Sequence, residues 1–246
     1  MDLKGKTILV TGGRRIGQVV ADELGGAGAN IVMTYWKSRD EIAHTVEHLA
    51  SIHHIRAEAY EADVTNEGSI RILVKSVTKD FHGIDGLVNM ASVFGPDPNE
   101  VSASEVLRIF SVNAIGGMLL SRWFAEEAKR RTVKNAPIVS FIDWAVDHPY
   151  ADHDLYLASK AALRHYLMAL QMTFAGTIRV VNIHPGMILE PPKFPPAEKR
   201  NIIANTPTHS IGDQQQAARL VRTAMENDFL ADNIFLDGGQ HWRHRL

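Results

Sequence analysis

The sequence predicts an α/β fold in which a doubly wound parallel sheet of about seven strands carries helices on both faces. Three observations predict it. Short apolar segments alternate with amphipathic helical patterns along the whole chain. These segments are apolar at nearly every position, as strands buried on both faces are, instead of alternating with polar residues. A glycine-rich turn follows the first apolar segment and precedes the first helical pattern.

The first half of the chain predicts four strands, at residues 6–10, 30–35, 56–61 and 86–90. The glycine turn at 11–17 opens the first helix, and further helices are predicted at about 40–52 and 66–81. Strand, glycine turn and helix together form a phosphate-binding element. The resulting βαβαβ order is half of a doubly wound sheet.

The second half continues the alternation. After a loop at 91–99, Ser102 and Glu105 resemble a capping box, and the helix that they open is predicted to continue to about residue 131. Strands at 137–142, 178–183 and 233–236 alternate with helices at about 156–174 and 214–226. The proline-rich loop at 184–208 fits no element, and we expect its part at about 187–210 to cover a site.

Composition narrows the class of protein. The 246 residues are 45% hydrophobic, which suits a single domain over residues 1–246. A net charge of −2 and the lack of a basic block predict no nucleic-acid partner. There is no cysteine and the 12 histidines are scattered, so we expect neither a disulfide nor a metal site. The chain starts directly into a strand and no apolar run approaches ~18 residues, which predicts a cytoplasmic protein with no membrane partner.

A tyrosine and a lysine mark the candidate catalytic centre. Tyr156 and Lys160 lie four residues apart in a predicted helix, so both side chains stand on one face, one turn apart. A nearby ammonium favours the phenolate form, so we expect Lys160 to lower the pKa of Tyr156. The strand at 137–142 delivers an acid, Asp143, just upstream. The alternative is a coincidental pair on the surface of the helix.

The first and second strands predict the cofactor. Gly12 and Gly17 let the backbone approach a pyrophosphate. An NAD site expects an acid at the end of the second strand to hold the ribose hydroxyls, and the chain has none there. The residues that stand there or opposite favour a 2′-phosphate, and therefore NADP(H): Tyr35, Trp36, Lys37, Ser38, Arg14 and Arg15. The alternative is that these are solvated loop charges.

The motifs together resemble the short-chain dehydrogenase/reductase family over the full length of the chain. The matching segments are TGGRRIG at 11–17, Asp63, NMAS at 89–92, Asn113, YLASK at 156–160, the His184-Pro185-Gly186 loop and the closing Asp237-Gly238-Gly239. The resemblance implies a Rossmann-type fold and NAD(P)-dependent hydride transfer to a small-molecule substrate. It implies that Tyr156 donates a proton, that Lys160 grips the nicotinamide ribose and that Asn113 holds a water in a proton relay.

The same resemblance implies a set of cofactor contacts and an assembly. The expected contacts to NADP(H) are Gly12, Arg14, Arg15, Ile16, Gly17, Tyr35, Lys37, Ser38, Asp63, Val64, Asn89, Ala91, Ser92, Tyr156, Lys160, Pro185, Gly186 and Ile188. A homotetramer or homodimer is expected. We also expect the tail after Gly239, QHWRHRL, to act in a neighbouring subunit. The alternative for the tail is a frayed end.

Three departures from the family pattern refine the resemblance. Asp143 stands where a serine is common, Arg15 replaces the second glycine of a motif that is one residue short, and Met90 replaces a second asparagine. The first two, with Lys37-Ser38 and the segment 91–94, resemble the pteridine reductases and the dihydrofolate or dihydromonapterin reductases. That branch implies a substrate site of Arg15, Phe94, Asp143 and Tyr156, with Phe94 stacked on a flat ring. The alternative for Phe94 is packing against Trp144 or the proline-rich loop.

These observations leave three hypotheses. The first is an NADPH-dependent reductase of a C=N bond in a dihydropteridine or dihydrofolate, with Asp143 as a second acid whose pKa is raised modestly by burial and held down by Arg15. The second is an NADPH-dependent carbonyl reductase acting on a 3-oxoacyl compound, a ketone or a quinone, in which Asp143 replaces the serine. The third is a cofactor-sensing protein without turnover.

Overall fold

One parallel sheet organises the molecule. We describe it from a computed structural model, over residues 1–190 and 194–245 with side chains to Trp242. Within this part of the chain seven strands pair in the order β3-β2-β1-β4-β5-β6-β7, and every pair is parallel. The strands are β1 (Thr7–Val10), β2 (Asn30–Tyr35), β3 (Ala57–Glu61), β4 (Gly86–Asn89), β5 (Ala136–Phe141), β6 (Ile178–Pro185) and β7 (Asp232–Leu236). The predicted α/β class is confirmed.

Helices cover both faces of this sheet. They are α1 (Ile16–Gly26), α2 (Arg39–His53), α3 (Glu67–Phe81), α4 (Ala103–Phe110), α5 (Gly116–Arg130), α6 (Asp154–Thr173), α7 (Pro196–Asn205) and α8 (Gln214–Glu226). Ile8 and Val10 of β1 pack with α1, α2 and α8, whereas Leu9 between them packs with α3, α5 and α6. Because each strand must supply apolar residues to both faces, the strands are apolar throughout.

The strand order reverses beside β1, which places a crevice between the carboxyl ends of β1 and β4. Thr11 joins the two loops at this point, since its Oγ1 accepts the main-chain N–H groups of Met90 (3.1 Å) and Ala91 (3.3 Å). Gly12 lies so close that a Cβ there would stand 2.6 Å from the Met90 carbonyl oxygen, and its φ is 68°. Only glycine fits this approach of the two loops.

Two predicted regions differ from the structure. The helix predicted from Ser102 to about 131 is interrupted by a π-helical turn at Ser111–Ile115, which joins α4 to α5. The prolines at 195 and 196 begin α7, since proline is compatible with the first turn of a helix, and β6 extends to Pro185. The predicted covering loop at 187–210 therefore contains a helix, and its residues 191–193 lie outside the described part.

One helical run, Ala103–Arg130, is long and apolar enough to cross a membrane by length and composition alone. The expectation from the sequence considered only unbroken apolar segments, and in this run polar residues interrupt the apolar ones. Leu120, Phe124 and Ala128 of the run are buried in the core against the sheet. That is the packing of a helix that covers a sheet.

The start of α5 is a tight contact that predicts a stability change. A Cβ on Gly116 would stand 2.5 Å from the main-chain oxygen of Val64. Gly116→Ala is therefore expected to lower the free energy of unfolding by about 1–3 kcal/mol, as overpacking does. Urea unfolding measures it. Gly26→Ala is the matched control, because its Cβ would meet His53 at an ordinary 3.5 Å, and equal stability of the two variants would contradict the prediction.

Candidate active site

Three ionisable side chains meet where β5 ends against α6. Tyr156, Lys160 and Asp143 are 8%, 2% and 8% exposed. The hydroxyl of Tyr156 donates to Oδ2 of Asp143 at 3.3 Å, and Nζ of Lys160 donates to the main-chain oxygen of Phe141 at 2.9 Å. Nζ of Lys160 lies 5.8 Å from the centroid of the Tyr156 ring. The structure thus brings together the predicted tyrosine, lysine and acid.

Hydrogen bonds to the turn after β5 and to the neighbouring strand β6 hold Asp143 in place. Oδ1 of its carboxyl group accepts the N–H of Ala145 at 2.8 Å, which caps the short 3-10 turn Trp144–Val146. Its main-chain oxygen accepts a hydrogen bond from Nδ1 of His184 at 2.8 Å, on the neighbouring strand β6. Nε2 of the same ring lies 2.8 Å from Oδ1 of Asn233 on β7. Asp143 is therefore fixed at both its side chain and its backbone.

Burial controls the ionisation of these groups. It raises the pKa of Asp143 to about 6, against the N–H of Ala145 and the Lys160 ammonium, and it lowers the pKa of Lys160 to about 8. It also raises the pKa of Tyr156 well above its usual value, and the nearby Asp143 raises it further. The prediction that Lys160 lowers the Tyr156 pKa is wrong for this structure, because burial and the Asp143 carboxyl group both raise that pKa.

Asn113 lies in the π-helical turn and holds the loop that follows β4. Its Oδ1 accepts the N–H of Val93 at 2.7 Å and the hydroxyl of Ser92 at 3.3 Å. Its Nδ2 donates to the main-chain oxygen of Val93 at 2.9 Å. Nearby, Nδ2 of Asn89 donates to Oγ of Ser121 at 2.7 Å, which ties β4 to α5. The side chain of Asn113 thus positions the loop, and its role in a water relay stays a prediction.

A narrow cavity of about 10 Å³ joins the glycine turn to Lys160. It lies in the crevice at the reversal of strand order, and four of the predicted cofactor contacts line it: Val64, Asn89, Ala91 and Lys160. The lining residues are Thr11, Val64, Asn89, Ala91, Asn113, Gly116, Gly117, Leu120, Lys160 and Leu163. The cavity has room for about one water molecule, and its lining extends from Thr11 after β1 to Lys160 of α6.

The glycine turn and the end of β2 offer cations near one another. Nε of Arg14 pairs with Glu41 of α2 at 2.7 Å. Lys37 is exposed, and Ser38 precedes α2 without capping it through its hydroxyl. Arg15 has a φ of 55° and donates to the main-chain oxygen of Glu190 at a long 3.5 Å. The region next to the N-terminus of α2 can therefore hold a phosphate with Arg14, Lys37 and Ser38.

The remaining predicted contacts lie at the start of α1 and at or just after the ends of β2, β3 and β6. A Cβ on Gly17 would stand 2.5 Å from the main-chain oxygen of Gly12, so Ile16 and Gly17 begin α1 directly against the glycine turn. Tyr35 ends β2 and is half-buried, and Asp63 accepts the N–H of Thr65 at 2.9 Å. Pro185 ends β6, a Cβ on Gly186 would stand 2.6 Å from Oε1 of Gln240, and Ile188 is buried.

An aromatic cluster stands beside Tyr156 on the exposed side of the site. Phe94 is 62% exposed, and its ring centroid lies 4.9 Å from that of Tyr156, edge to face. Phe94 also stacks on His153 at 4.9 Å, and His153 contacts Tyr150 at 5.2 Å. The alternative that Phe94 packs against Trp144 or the proline-rich loop stays a prediction. The sequence analysis missed His153 and Tyr150, although both stand within six residues of Tyr156.

Comparison with known proteins decides the family. The model of the family described as short chain dehydrogenase matches residues 6–195. The chain belongs to this family. Within the short-chain dehydrogenases it is 25% identical to glucose 1-dehydrogenase 2 of Bacillus subtilis (strain 168), over 97% of this chain and 95% of the relative. It is 28% identical to 3beta-hydroxysteroid dehydrogenase 1 of Eggerthella lenta, over 97% of this chain and 94% of the relative.

A solved structure extends the likeness to three dimensions. A short chain dehydrogenase from Burkholderia cenocepacia J2315, in complex with NADP, superposes with a TM-score of 0.88 at 28% sequence identity. The match covers 98% of this chain and 99% of that protein. The predicted family and the Rossmann-type fold are therefore confirmed. Within the part of the chain that the structure describes, no group of three His, Asp or Glu is placed to hold a metal ion.

The raised pKa of Asp143 predicts how stability depends on pH. Because the folded protein holds this proton more tightly, the stabilising contribution is complete below the unfolded pKa and is lost as pH rises through about 6. Between about pH 4 and pH 7 the wild type should lose about 2 kcal/mol of unfolding free energy relative to Asp143→Asn. Urea unfolding of both proteins at the two pH values measures this difference.

Asp147→Asn is the matched control. Arg164 lowers the pKa of Asp147, so the contribution of that carboxylate has the opposite sign and is lost as pH falls. Half of its side chain is exposed, and solvent screening keeps the effect small. Parallel stability curves for the wild type and Asp143→Asn would contradict the prediction.

Proposed function

We propose that the protein is an NADPH-dependent carbonyl reductase. The observation that carries the proposal is the direct contact of Tyr156 Oη with Asp143 Oδ2, at 3.3 Å. Two acids in contact converge on one point and can serve a single acceptor atom. A carbonyl group presents one oxygen, whereas the C=N mechanism expected from the sequence needs Tyr156 and Asp143 at two separate nitrogens. The contact therefore supports the carbonyl substrate over the pteridine.

NADPH supplies a hydride to the carbonyl carbon when it is bound, and the residues of the chain manage the proton. Tyr156 donates its phenolic proton to the substrate oxygen, because the raised pKa keeps the hydroxyl protonated. Asp143 takes the place of the serine common in the family and, when protonated, donates a second hydrogen bond to the same oxygen. Lys160 uses one N–H on Phe141 and keeps two N–H groups for the ribose hydroxyls.

Three features support NADP(H) as the cofactor. The close approach at Gly12 leaves no Cβ between the backbone and a pyrophosphate. No acid stands at the end of β2, where Lys37 and Ser38 lie beside Arg14. A relative that is 28% identical over nearly the whole chain was solved with NADP. These residues fit the cofactor.

The cofactor proposal predicts a charge effect confined to NADPH. A charge-assisted hydrogen bond contributes about 1.5–3 kcal/mol, so Lys37→Ala should raise KM for NADPH about tenfold or more and leave KM for NADH unchanged. Steady-state kinetics with each cofactor measures both values. Lys75→Ala, an exposed lysine of α3, is the control and should change neither. Equal kcat/KM for the two cofactors in the wild type would refute the proposal.

A dihydropteridine reductase is the second candidate, and the ring of Phe94 favours it. This ring is exposed and lies edge to face with Tyr156, so a flat heteroaromatic substrate has a surface to stack on. Asp143, with a pKa of about 6, can also deliver a proton to a ring nitrogen. Against it, Nη2 of Arg15 donates to the main-chain oxygen of Glu190 at 3.5 Å, whereas the pteridine hypothesis assigns Arg15 to the substrate.

Substitution of Asp143 separates the two substrate classes. For a carbonyl substrate, Asp143→Ser should keep kcat within a few-fold, because a hydroxyl donates the same hydrogen bond, whereas Asp143→Ala should lose activity. For a pteridine, Asp143→Asn should reduce turnover by ~10² while the Kd for NADPH stays the same. NADPH oxidation on a cyclic ketone, a quinone, dihydrobiopterin and dihydrofolate tests both.

The four substrates distinguish the three hypotheses. Turnover of dihydrobiopterin but of no ketone or quinone would replace the carbonyl proposal by the pteridine one. Tight NADPH binding without turnover on any compound would favour the cofactor-sensing hypothesis. The expected homotetramer or homodimer and the cytoplasmic location stay predictions, and light scattering after sizing chromatography measures the first.

A further inference from the structure

We propose that the C-terminal turn, Gln240–Arg245, positions Asp143 in the active site of its own chain, through a stack of four rings. The inference rests on the proposed function, in which Asp143 donates a hydrogen bond to the substrate oxygen. His241 is the positioning residue, and it is the third of the four rings when they are counted from Asp143. It does not touch the reacting atoms and acts through Phe235 and His184.

The rings form a continuous path from the tail to Asp143. His184 stacks on Phe235 with centroids 4.6 Å apart, and Phe235 stacks on His241 at 4.0 Å with planes 20° apart. Trp242 lies against His241 at 5.0 Å. At the other end, Nδ1 of His184 donates to the main-chain oxygen of Asp143. Movement of the outer rings is therefore transmitted to the residue that carries the carboxyl group.

A buried carboxylate holds His241 at the end of this path. The side chain of Asp237 is 2% exposed, and its Oδ2 lies 2.8 Å from Nδ1 of His241 and 2.7 Å from the N–H of the same residue. Its Oδ1 accepts the N–H of Gly239 at 3.0 Å. A carboxylate with three such contacts is well satisfied despite its burial. The first residues of the C-terminal turn are thus anchored in the fold.

The C-terminal turn also lies beside the 3-10 turn Trp144–Val146. Cα atoms of the two turns approach within 8 Å, and Asp143 caps the 3-10 turn. Nε2 of Gln240 donates to Oγ1 of Thr206 at 2.9 Å, which links the same turn to the end of α7. The expected role of the tail in a neighbouring subunit stays a prediction, and the inference drawn from these contacts concerns the tail's own chain. Leu246 and the side chains of 243–245 lie outside the described part.

His184 is the ring that links the aromatic stack to Asp143. It is fully buried, and its ring fits between the stack with Phe235 and hydrogen-bonding groups on Asp143 and Asn233. If His241 is truncated, Phe235 loses one of its two stacked faces and the His184 ring gains freedom. The Asp143 carboxyl then samples positions away from the substrate oxygen. Small misplacements of catalytic groups lower rates strongly, and KM changes less than kcat.

The test compares His241→Ala with His241→Phe in the full chain, assayed on the best substrate of the panel. His241→Ala is expected to lower kcat about tenfold, with KM and the Kd for NADPH changed less than twofold. His241→Phe keeps the stack and loses the contact with Asp237, and it should restore most of kcat. His165→Ala, an exposed histidine on α6, is the matched control and should behave as the wild type.

A double mutant separates positioning from general destabilisation. In an Asp143→Ala background there is no hydrogen-bonding side chain to position, so adding His241→Ala should change the residual kcat less than twofold. A full tenfold loss in that background, or no loss from His241→Ala alone, would overturn the inference. If Asp143→Ala itself keeps full activity, the role of Asp143 in the proposed function fails instead. Thermal unfolding of each variant identifies any loss that comes from instability.

Discussion

The burial of an ammonium, a phenol and a carboxyl group between β5 and α6 is the constraint on which the site depends. A buried charge is costly unless a partner satisfies it, and Lys160 finds that partner in the main-chain oxygen of Phe141 at the end of β5. The same contact fixes α6 against the carboxyl end of β5, one helical turn from Tyr156. Asp143, the second residue after β5, is then brought to the hydroxyl of Tyr156. The contacts of Lys160 and Asp143 therefore hold α6 on the sheet and also place the ionisable groups of the site.

Much of the fold follows from local sequence, and the exceptions have physical causes. The strand β2 and the helix α8 have the predicted bounds, because turn residues and a full capping box at Asp213 mark their ends. The π-helical turn at 111–115 was invisible, since its residues are compatible with a regular helix. The helix α7 was missed because its two leading prolines are typical of a loop as well as of a helix start.

In the site, the sequence identified which groups meet but not their electrostatics. The spacing of Tyr156 and Lys160 predicts that they are neighbours, and they are. The pKa of Tyr156 depends on burial and on Asp143, which enters from another element, so its direction could not be predicted from the helix alone. Likewise, the contact of Phe94 with His153 depends on the path of a loop. The replacement of the family serine by Asp143 can be seen in the sequence, whereas the contact between the Asp143 carboxyl group and the Tyr156 hydroxyl cannot.

The pairing of Arg14 with Glu41 has a consequence for the speed of cofactor capture. The glutamate neutralises the arginine before any phosphate arrives, and the arginine is largely and the glutamate partly exposed to solvent. Such a pair is worth only about 0–1 kcal/mol, so a phosphate with nearly two negative charges can displace the carboxylate at little cost. Yet a neutralised arginine attracts a distant anion weakly. Association with the dinucleotide therefore relies less on long-range steering, and its rate should respond only weakly to ionic strength.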